Sequence, residues 1–548
     1  MTIRFPQIRK KKLLTSLACG LLACAAVAQS REPSRPRLVV GIVVDQMRWD
    51  YLYRYADRFS ENGFRRLLSG GFSCEQTFLN YIPSYTAPGH ASIFSGTVPA
   101  IHGIVGNDWV DRGSGRGVYC SEDPAVNGVG GSQRAGRMSP RNMKSNTVGD
   151  ELRLASNFRS RVFGVALKDR GAIFPAGHLA NAAYWFDDST GNFISSDYYS
   201  PRLPQWVQDF NVCRWPDTLL AKTWHTLYPL SSYAQSTADN NPYEAMRAGE
   251  TAPVFPHVPD ARQYKSLRSL PAGNQLTFRF AKALIRAEGL GRGGATDMLT
   301  LSLSSTDYIG HAYGPNSVEA EDLYLRLDLQ LAKFLEYLDE AVGKGKYTVF
   351  LTADHGAAHN AAFLQDRKMP AGILSEYDMK KELNAAAKLR FGADSLVRSV
   401  MNYQVAPDDA VVARKKVSRA ALQEFLIAQC GAYKGMFRVV PLDDLQGLSL
   451  PGFLKQQLEN GFYPARCGDI GLIYEPAWYS DGPRGTTHGT WNPYDTHIPL
   501  LWYGWGIRPG ASFEKVQVSD IATTLAALLR IQMPNGCSGK VITDVLKN

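Results

Sequence analysis

The sequence has 548 residues, of which 45% are hydrophobic and 20% are charged, a balance typical of a globular protein with a large core. The net charge is +9, and five of the positive charges lie in the first 28 residues, which contain no acid. Without those five charges the remainder is +4, and no basic stripe with interleaved aromatic residues occurs. The composition therefore excludes a dedicated nucleic-acid binder and suits small anionic ligands.

The N-terminal segment has the pattern of a secretory signal. "RKKK" precedes an apolar run that ends in "AVAQS". A basic segment, an apolar segment and a small-residue cleavage site predict a signal peptide over 1–28, cleaved after Ala28, and a periplasmic protein. Lipidation at Cys24, in "LLAC", is the alternative. The apolar run is too short and too interrupted for a membrane span, and no later segment has 18 uninterrupted apolar residues.

Six cysteines remain beyond the signal segment, and none of them stands in a CxxC pair. An exported chain permits disulfides, so we expect one to three structural bridges, with the pairing left open. The six are Cys74, Cys120, Cys213, Cys430, Cys467 and Cys537.

After a Pro-rich linker over 29–37 comes "LVVGIVVDQ", a β-branched run typical of a strand buried on both faces. Similar runs recur in "RVFGVALKDR", "DMLTLSLSSTD", "KYTVFLTADHG" and "THIPLLWYG". Helical spacing of apolar residues lies between them, at 319–342 and at 519–531, where Ser519 is a good N-cap. The alternation predicts an α/β fold, a doubly wound, mostly parallel sheet sandwiched by helices.

Two segments lack this alternation. The segment at about 188–275 is rich in Trp, Tyr, Pro and Asn, and the segment at about 362–470 contains a polar helical patch. We interpret both as insertions that cap the core or shape the pocket, within one catalytic domain over 38–548.

Charged residues follow the predicted strands at their carboxyl ends. A single Asp after a strand is common as a turn or cap residue. Several such residues at one sheet edge indicate a site, because ligands of open α/β sheets bind beyond the carboxyl ends of the strands. The residues are Asp45, Lys168, Arg170, Asp307, Asp354 and His355.

Three aspartates and three histidines suit a pair of metal ions with three protein ligands each. Asp307 and His311, in "STDYIGH", are one helical turn apart and can reach one ion. Mixed imidazole and carboxylate ligands favour zinc over magnesium or calcium, and three protein ligands per ion leave the open positions of a catalytic site. The six side chains are Asp45, Asp307, His311, Asp354, His355 and His488.

Thr86 lies in "NYIPSYTAPGHASIFSG", between an extended run and the start of a predicted helix. Pro88 is tolerated in the first turn of a helix, and a helix N-terminus presents N–H groups to an anion. A hydroxyl at this position beside zinc can lose its proton near neutral pH, as water bound to a metal does. The alternative is that Thr86 is only a helix N-cap.

Long motifs run through nearly the whole chain from about Leu38: "VVGIVVDQMRWDYLYRY", "YTAPGHASIFSG", "HGIVGNDW", "LKDRGAIFPAGH", "STDYIGHAYGPNS" and "ADHGAAH". They resemble those of the alkaline phosphatase superfamily and, more narrowly, the phosphate-irrepressible bacterial alkaline phosphatases of the PafA type. The resemblance implies an alkaline-phosphatase-like core and an exported enzyme with two zinc ions per chain. It also implies hydrolysis of phosphate monoesters through a covalent phosphothreonine.

The resemblance also assigns the metal ligands to two ions. The ligands of one zinc ion would be Asp307, His311 and His488. The ligands of the other, which also holds the Thr86 hydroxyl, would be Asp45, Asp354 and His355.

Three further residues would contact the phosphoryl oxygens, namely Asn107, Lys168 and Arg170. In the resemblance, Lys168 takes the place of the additional Mg²⁺ site of the enterobacterial branch. Two cations and an amide suit the three non-bridging oxygens of a monoester, whereas a diester has one fewer such oxygen. These residues therefore argue against one alternative, a nucleotide pyrophosphatase or phosphodiesterase of the same superfamily.

A second alternative is an exported, non-catalytic binding protein on the same fold. Such a protein would be expected to have lost metal ligands or the nucleophile, and this sequence retains all of them. We expect a monomer that acts on small-molecule phosphate monoesters and has neither a nucleic-acid partner nor a membrane span.

Overall fold

The structure is a computed structural model that describes residues 1–2, 35–247, 249–480 and 482–547. Cys24 and Ala28, on which the lipidation and signal-peptide predictions depend, lie outside the described residues.

The strands of the described residues, in chain order, are β1 (Leu38–Val44), β2 (Phe72–Phe78), β3 (Asp108–Val110), β4 (Gly117–Tyr119), β5 (Gly128–Val129), β6 (Val162–Ala166), β7 (Ala182–Asp187), β8 (Asn192–Ser196), β9 (Asp297–Leu303), β10 (Tyr347–Thr352), β11 (Gly372–Ile373), β12 (Val397–Met401), β13 (Gln404–Pro407), β14 (Met436–Pro441), β15 (Ile470–Tyr474), β16 (Trp478–Tyr479), β17 (His497–Ile498), β18 (Leu500–Gly504) and β19 (Gly510–Gln517).

The α-helices of the described residues are α1 (Tyr51–Arg54), α2 (Phe64–Gly70), α3 (Thr86–Ser95), α4 (Pro99–His102), α5 (Gln133–Gly136), α6 (Val148–Ala155), α7 (Asp169–Ala176), α8 (Gln205–Val212), α9 (Trp215–Leu220), α10 (Pro271–Glu288), α11 (Ser305–Tyr313), α12 (Val318–Leu338), α13 (Ala361–Asp366), α14 (Glu376–Phe391), α15 (Asp409–Arg414), α16 (Arg419–Gly431), α17 (Gly452–Gly461), α18 (Pro493–Thr496) and α19 (Asp520–Leu529).

The central sheet has eleven strands among the described residues, in the order β17-β2-β18-β10-β1-β9-β6-β7-β8-β5, with β19 paired to β2. Its middle, β10-β1-β9-β6-β7, is parallel throughout. Strands β18, β8 and β5 pair antiparallel with their neighbours, so the sheet is mixed. The predicted α/β class with a mostly parallel sheet flanked by helices is confirmed.

The uninterrupted apolar runs identify strands that are buried on both faces. Every residue of β1, β6, β9 and β10 is buried, as expected for parallel strands covered by helices.

The predicted helix at 319–342 is α12 followed by a π-helical turn at Asp339–Gly343. Ser519 occupies the N-cap position of α19, as predicted, but it has helical backbone angles and its side chain makes no capping hydrogen bond.

A second, smaller sheet lies beside the main one and is formed within the segment from β12 to β15. Its four strands run in the order β12-β13-β15-β14, all antiparallel, and α14 and α16 cover it. This small sheet has a hydrophobic cluster of its own, which contains Leu383, Leu422 and Ile470.

The insertion boundaries at 188–275 and 362–470 stay a prediction.

The prediction of one to three disulfides is wrong, because all six cysteines of the described residues are free thiols. Cys74 lies in the main core, Cys430 lies in the core of the small sheet, and Cys213 is exposed. These three lie in separate parts of the structure, so they cannot reach the short Cβ–Cβ distance that a disulfide needs. Cys120 and Cys467 share one hydrophobic cluster, and both are free. Within the described residues, no helix combines the length and the apolar character needed to cross a bilayer.

Candidate active site

The carboxyl ends of four adjacent parallel strands bring the predicted residues to one edge of the sheet. Asp45 directly follows β1, Lys168 lies two residues beyond β6, and Asp354 lies two residues beyond β10. The sequence predicted Asp307 at the end of a strand, but the residue lies in the first turn of α11, after β9. His311 lies one turn further along the same helix, which is the spacing predicted for a shared ion.

Thr86 is the first residue of α3, a helix that is buried along its whole length. The residue at the N-cap is Tyr85, and no side chain caps the helix by a hydrogen bond, so the N-cap interpretation of Thr86 is wrong. Thr86 Oγ1 instead lies 3.4 Å from His355 Nε2 and 3.4 Å from Lys168 Nζ. The hydroxyl therefore faces the predicted metal ligands at the positive end of a helix dipole.

Lys168 joins two of the carboxylates. Its Nζ lies 2.6 Å from Asp307 Oδ2 and 2.7 Å from Asp45 Oδ2, and its side chain is 1% exposed. Burial lowers the pKa of Lys168, but the charges of Asp307 and Asp45 outweigh burial and raise this pKa above its ordinary value. Lys168 therefore places a positive charge beside the Thr86 hydroxyl.

The carboxylates outnumber the cations inside the site. Asp45 Oδ1 and Asp354 Oδ2 are buried and accept no hydrogen bond from any described residue. Burial and the charge of Asp354 raise the pKa of Asp45 well above its ordinary value. Burial also acts to raise the pKa of Asp307, but Lys168 and His311 hold it well below its ordinary value. Three buried carboxylates around one ammonium group form a site that favours bound cations.

Three histidines are each oriented by a hydrogen bond from the ring to the backbone. The Nδ1 atoms of His311, His355 and His488 donate to backbone carbonyl oxygens at 2.8, 3.0 and 2.7 Å, respectively. Their Nε2 atoms consequently face the carboxylates, with His311 Nε2 at 3.2 Å from Asp307 Oδ1. A hydrogen bond of this kind on the second ring nitrogen is the usual support of a metal-ligating histidine.

Two groups of side chains have the spacing of a metal site. The first group is Asp307, His311 and His488, which is the predicted set, and the second is Asp45, Asp307 and His355. The second group contains Asp307 where the sequence predicted Asp354. The Oδ2 atom of Asp354 lies 3.4 Å from His355 Nε2 and 3.3 Å from His90 Nδ1. The carboxylate and imidazole donors fit a binuclear metal centre.

Asn107 and Arg170 lie at the more exposed rim of the site. Asn107 Oδ1 accepts a hydrogen bond from the Ala87 N–H at 3.0 Å, which fixes its amide beside the start of α3. Arg170 Nη1 donates to the Tyr119 hydroxyl at 3.0 Å, while its Nε is buried and has no partner among the described residues. Both side chains are half-buried, so a substrate can approach from this side.

Sequence reasoning missed three supporting residues. His90, four residues after Thr86 in the same motif, donates from Nδ1 to Thr86 O at 2.9 Å, and this Nδ1 lies 3.3 Å from Asp354 Oδ2. Helical spacing from Thr86 was a signal for it. Gln46 donates to Asp307 Oδ1 at 2.9 Å and directly follows Asp45. Tyr119 donates to Asp169 Oδ1 at 2.5 Å and supports Arg170, and nothing in the sequence pointed to it.

Comparisons with known proteins place the chain in a family. The family described as type I phosphodiesterase / nucleotide pyrophosphatase matches residues 39–497. Alkaline phosphatase PafA of Elizabethkingia meningoseptica is 48% identical over 518 residues, which cover 93% of this chain and 95% of that protein. A Myroides odoratus protein named calcium-transporting ATPase is 46% identical over 547 residues, 98% of this chain and 99% of that protein. The crystal structure of wild-type PafA has a TM-score of 0.93 at 47% identity and covers 94% of this chain and 100% of that chain.

Proposed function

This chain belongs to the PafA-type alkaline phosphatases of the type I phosphodiesterase / nucleotide pyrophosphatase family, and from this premise we propose that it is an exported, zinc-dependent phosphatase that works through a phosphothreonine on Thr86. Its reaction is the hydrolysis of phosphate monoesters. The position of the Thr86 hydroxyl carries the proposal. Its Oγ1 lies at a helix N-terminus, 3.4 Å from both Lys168 and His355 and beside the candidate metal groups.

The metal ligands of the proposal are the side chains gathered at the sheet edge. Zinc suits their mixed carboxylate and imidazole donors. Two such ions, when bound, lower the pKa of an adjacent hydroxyl and stabilise negative charge on a departing oxygen. One ion is assigned to Asp307, His311 and His488. The other is assigned to Asp45, Asp354 and His355, and Asp307 also has the spacing of a ligand to this second ion.

In the first step, Thr86 Oγ1 attacks phosphorus. The Oγ1–P bond forms, the P–O bond of the ester breaks, the leaving alcohol takes up a proton, and the Thr86 proton passes to solvent. The N-terminus of α3 stabilises the transferring group, because helix N-termini present N–H groups and a positive dipole to phosphate. Lys168, already charged and held within 3.4 Å of Oγ1, stabilises negative charge on the oxygens in transfer.

In the second step, water replaces Thr86 on phosphorus. The Oγ1–P bond breaks, Thr86 regains its proton, and inorganic phosphate leaves. The same residues act in both steps, since each step transfers the same phosphoryl group between oxygens. His90 keeps Thr86 in place meanwhile, because its Nδ1 donates to the Thr86 carbonyl oxygen.

Substrate choice is assigned to Lys168, Arg170 and Asn107. A monoester dianion has three non-bridging oxygens, and each can accept from one of these side chains. A diester has one fewer, together with an additional substituent to accommodate. The proposal therefore favours monoesterase over phosphodiesterase activity. ATP belongs among the test substrates because its terminal phosphoryl group also has three such oxygens, and because one relative is named an ATPase.

The remaining parts of the proposal are cellular. Cleavage after Ala28 would release a periplasmic protein, supported by the basic and apolar pattern of 1–28. We also propose that the active form is a monomer. N-terminal sequencing of the protein exported from its host tests the cleavage site. Size-exclusion chromatography with light scattering tests the monomer.

The central experiment is a kcat/KM panel with the zinc-loaded protein. The substrates are an aryl phosphate, an aryl phosphodiester, an aryl sulfate and ATP. The aryl phosphate should exceed the aryl diester and the sulfate by orders of magnitude, and acid-quenched samples should contain a phosphorylated Thr86 peptide. Faster turnover of the diester would support the phosphodiesterase alternative. No turnover of any substrate would support the non-catalytic binding protein.

A further inference from the structure

The tip of one hairpin of the small sheet reaches the active site. Strands β12 and β13 are joined by two residues, Asn402 and Tyr403, because Met401 pairs directly with Gln404. Both residues of the turn have φ of 57°. Two-residue hairpins of this type need positive φ and favour Asn and Gly, so a tyrosine here is unusual. Such strained backbone persists where surrounding contacts hold it, and it is concentrated at functional sites.

Asn402 lies against both neighbours of Asn107. Its Nδ2 donates to the Asp108 carbonyl oxygen at 2.7 Å. On the other side, Gly106 permits the approach, since a Cβ at Gly106 would lie 2.6 Å from the Asn402 Nδ2. The two residues that flank Asn107, Gly106 and Asp108, are therefore both in contact with one side chain of the small sheet.

Tyr403 contacts the His488 loop in the same manner. Its hydroxyl donates to the His488 carbonyl oxygen at 3.2 Å. Gly489 permits the approach here, since a Cβ at this position would lie 2.5 Å from the Tyr403 ring. The Tyr403 ring also stacks on Tyr85, at 6.4 Å between centroids, and Tyr85 directly precedes Thr86.

The small sheet holds this tip firmly. The Tyr403 N–H donates to Glu376 Oε1 at 2.8 Å, at the start of α14. Its carbonyl oxygen accepts from the Leu472 N–H at 2.8 Å, and its ring packs edge-on against Tyr474 at 5.0 Å. Tyr403 is 8% exposed. The tip is therefore a rigid extension of the small sheet and not a loose loop.

We propose that Asn402 and Tyr403 are positioning residues through which the small sheet sets the Asn107 loop and the His488 loop. The inference rests on the proposed function, since it takes Asn107 as a phosphoryl contact and His488 as a metal ligand. Asn402 holds the Asp108 carbonyl oxygen and packs against Gly106, and through these two neighbours it sets the direction of the Asn107 amide. Tyr403 fixes the His488 backbone, while Ser84 O accepts from His488 Nδ1 and fixes the ring.

The role proposed for Asn402 is tested with the variants N402G and N402A. The glycine variant keeps the positive φ, so it removes the amide without straining the turn. Both variants should lower kcat/KM for an aryl phosphate about tenfold and for an aryl diester less than about threefold, since one oriented contact is lost. In the N107A background, N402G should have no further effect, because contacting residues that act through one group are not additive.

Two results would overturn this role. One is wild-type kcat/KM in N402G, and the other is an equal loss from N402G with and without Asn107. The N107A single variant reports on the proposed function separately. If N107A alone leaves the monoester rate unchanged, the assignment of Asn107 fails, whatever Asn402 does.

The role proposed for Tyr403 is tested with the Y403F variant, in which the rate of zinc release to a chromogenic chelator is measured. This change removes one hydroxyl and leaves the ring in place. Release should be about tenfold faster than in the wild type, the lower end for losses of support around metal ligands, while the monoester-to-diester ratio stays unchanged. Y433F is the matched control, because Tyr433 donates to Glu382 Oε2 at 2.6 Å elsewhere beside the small sheet. It should release zinc like the wild type.

His488→Ala separates the two possible failures of this role. If H488A releases zinc no faster than the wild type, the ligand assignment is wrong. If H488A accelerates release and Y403F does not, the ligand assignment stands and the positioning role of Tyr403 is wrong.

Discussion

Replacing Lys168 by Met removes a cation while keeping most of the side-chain volume. The ammonium group lies 2.6 Å from Asp307, 2.7 Å from Asp45 and 3.4 Å from the Thr86 hydroxyl, and the side chain is 1% exposed. At this position it stabilises charge on the transferring phosphoryl oxygens and also neutralises two buried carboxylates. We therefore expect two separate losses, one in catalysis and one in stability.

The catalytic loss follows from the removal of one preorganised donor in a buried site, which costs about 10²–10³ in kcat, roughly 2.7–4 kcal/mol. An aryl phosphate should show this loss in full. An aryl phosphodiester should lose no more than about tenfold, because it has one fewer non-bridging oxygen and a smaller charge. In the metal-free protein the stability loss is about 3–5 kcal/mol, the usual result of leaving a buried ion pair without one partner.

The assay compares kcat/KM for the two esters in K168M and in the wild type, with melting temperatures for both proteins. Arg161→Met is the control, because Arg161 pairs with the buried Asp297 at 2.8 Å at the opposite end of β9. That variant should melt earlier and keep the wild-type ratio of monoester to diester rates. Equal losses on both esters in K168M would refute the discrimination argument.

Three further predictions concern the nucleophile, acid stability and the thiols. Thr86→Ala should lower kcat by at least about 10³-fold and leave no phosphorylated peptide. Thr86→Ser should retain part of the turnover and still form a phosphorylated peptide. A phosphorylated peptide in the alanine variant would contradict the assignment. Burial lowers the pKa of His102 to about 3, where its Nδ1 accepts from the Ile104 N–H. The unfolded chain binds that proton near pH 6.5, so wild-type stability should fall by about 2 kcal/mol from this group between pH 7 and pH 5. His102→Asn should show a smaller fall over the same range in urea titrations, and an equal fall would contradict the reasoning. Thiol titration of the denatured, unreduced chain cleaved after Ala28 should find six free cysteines, and a lower number would reveal disulfides.

The sequence was most informative where burial leaves an uninterrupted pattern. Strand β1 carries seven buried residues in a row, and its end at Val44 places Asp45 at the sheet edge, as predicted. Asp307 and His311 were also readable, because helical spacing is local. Their placement on α11, and not on the strand end, matters little to their chemistry.

Contacts between distant segments were not readable from the sequence. Asn402 and Asp108 are 294 residues apart, and Tyr403 and His488 are 85 apart, so no spacing in the sequence links them. Tyr119 supports Arg170 from a hairpin 51 residues earlier, again without a local pattern. The free cysteines show the same limit, because only the fold decides which sulfur atoms can meet.

The most direct test of the central claim is a zinc titration of the fully chelated protein, with aryl phosphate turnover measured at each step. Turnover should start near zero and rise to a plateau at two zinc ions per chain. Full turnover in protein from which zinc has been removed completely would contradict the account.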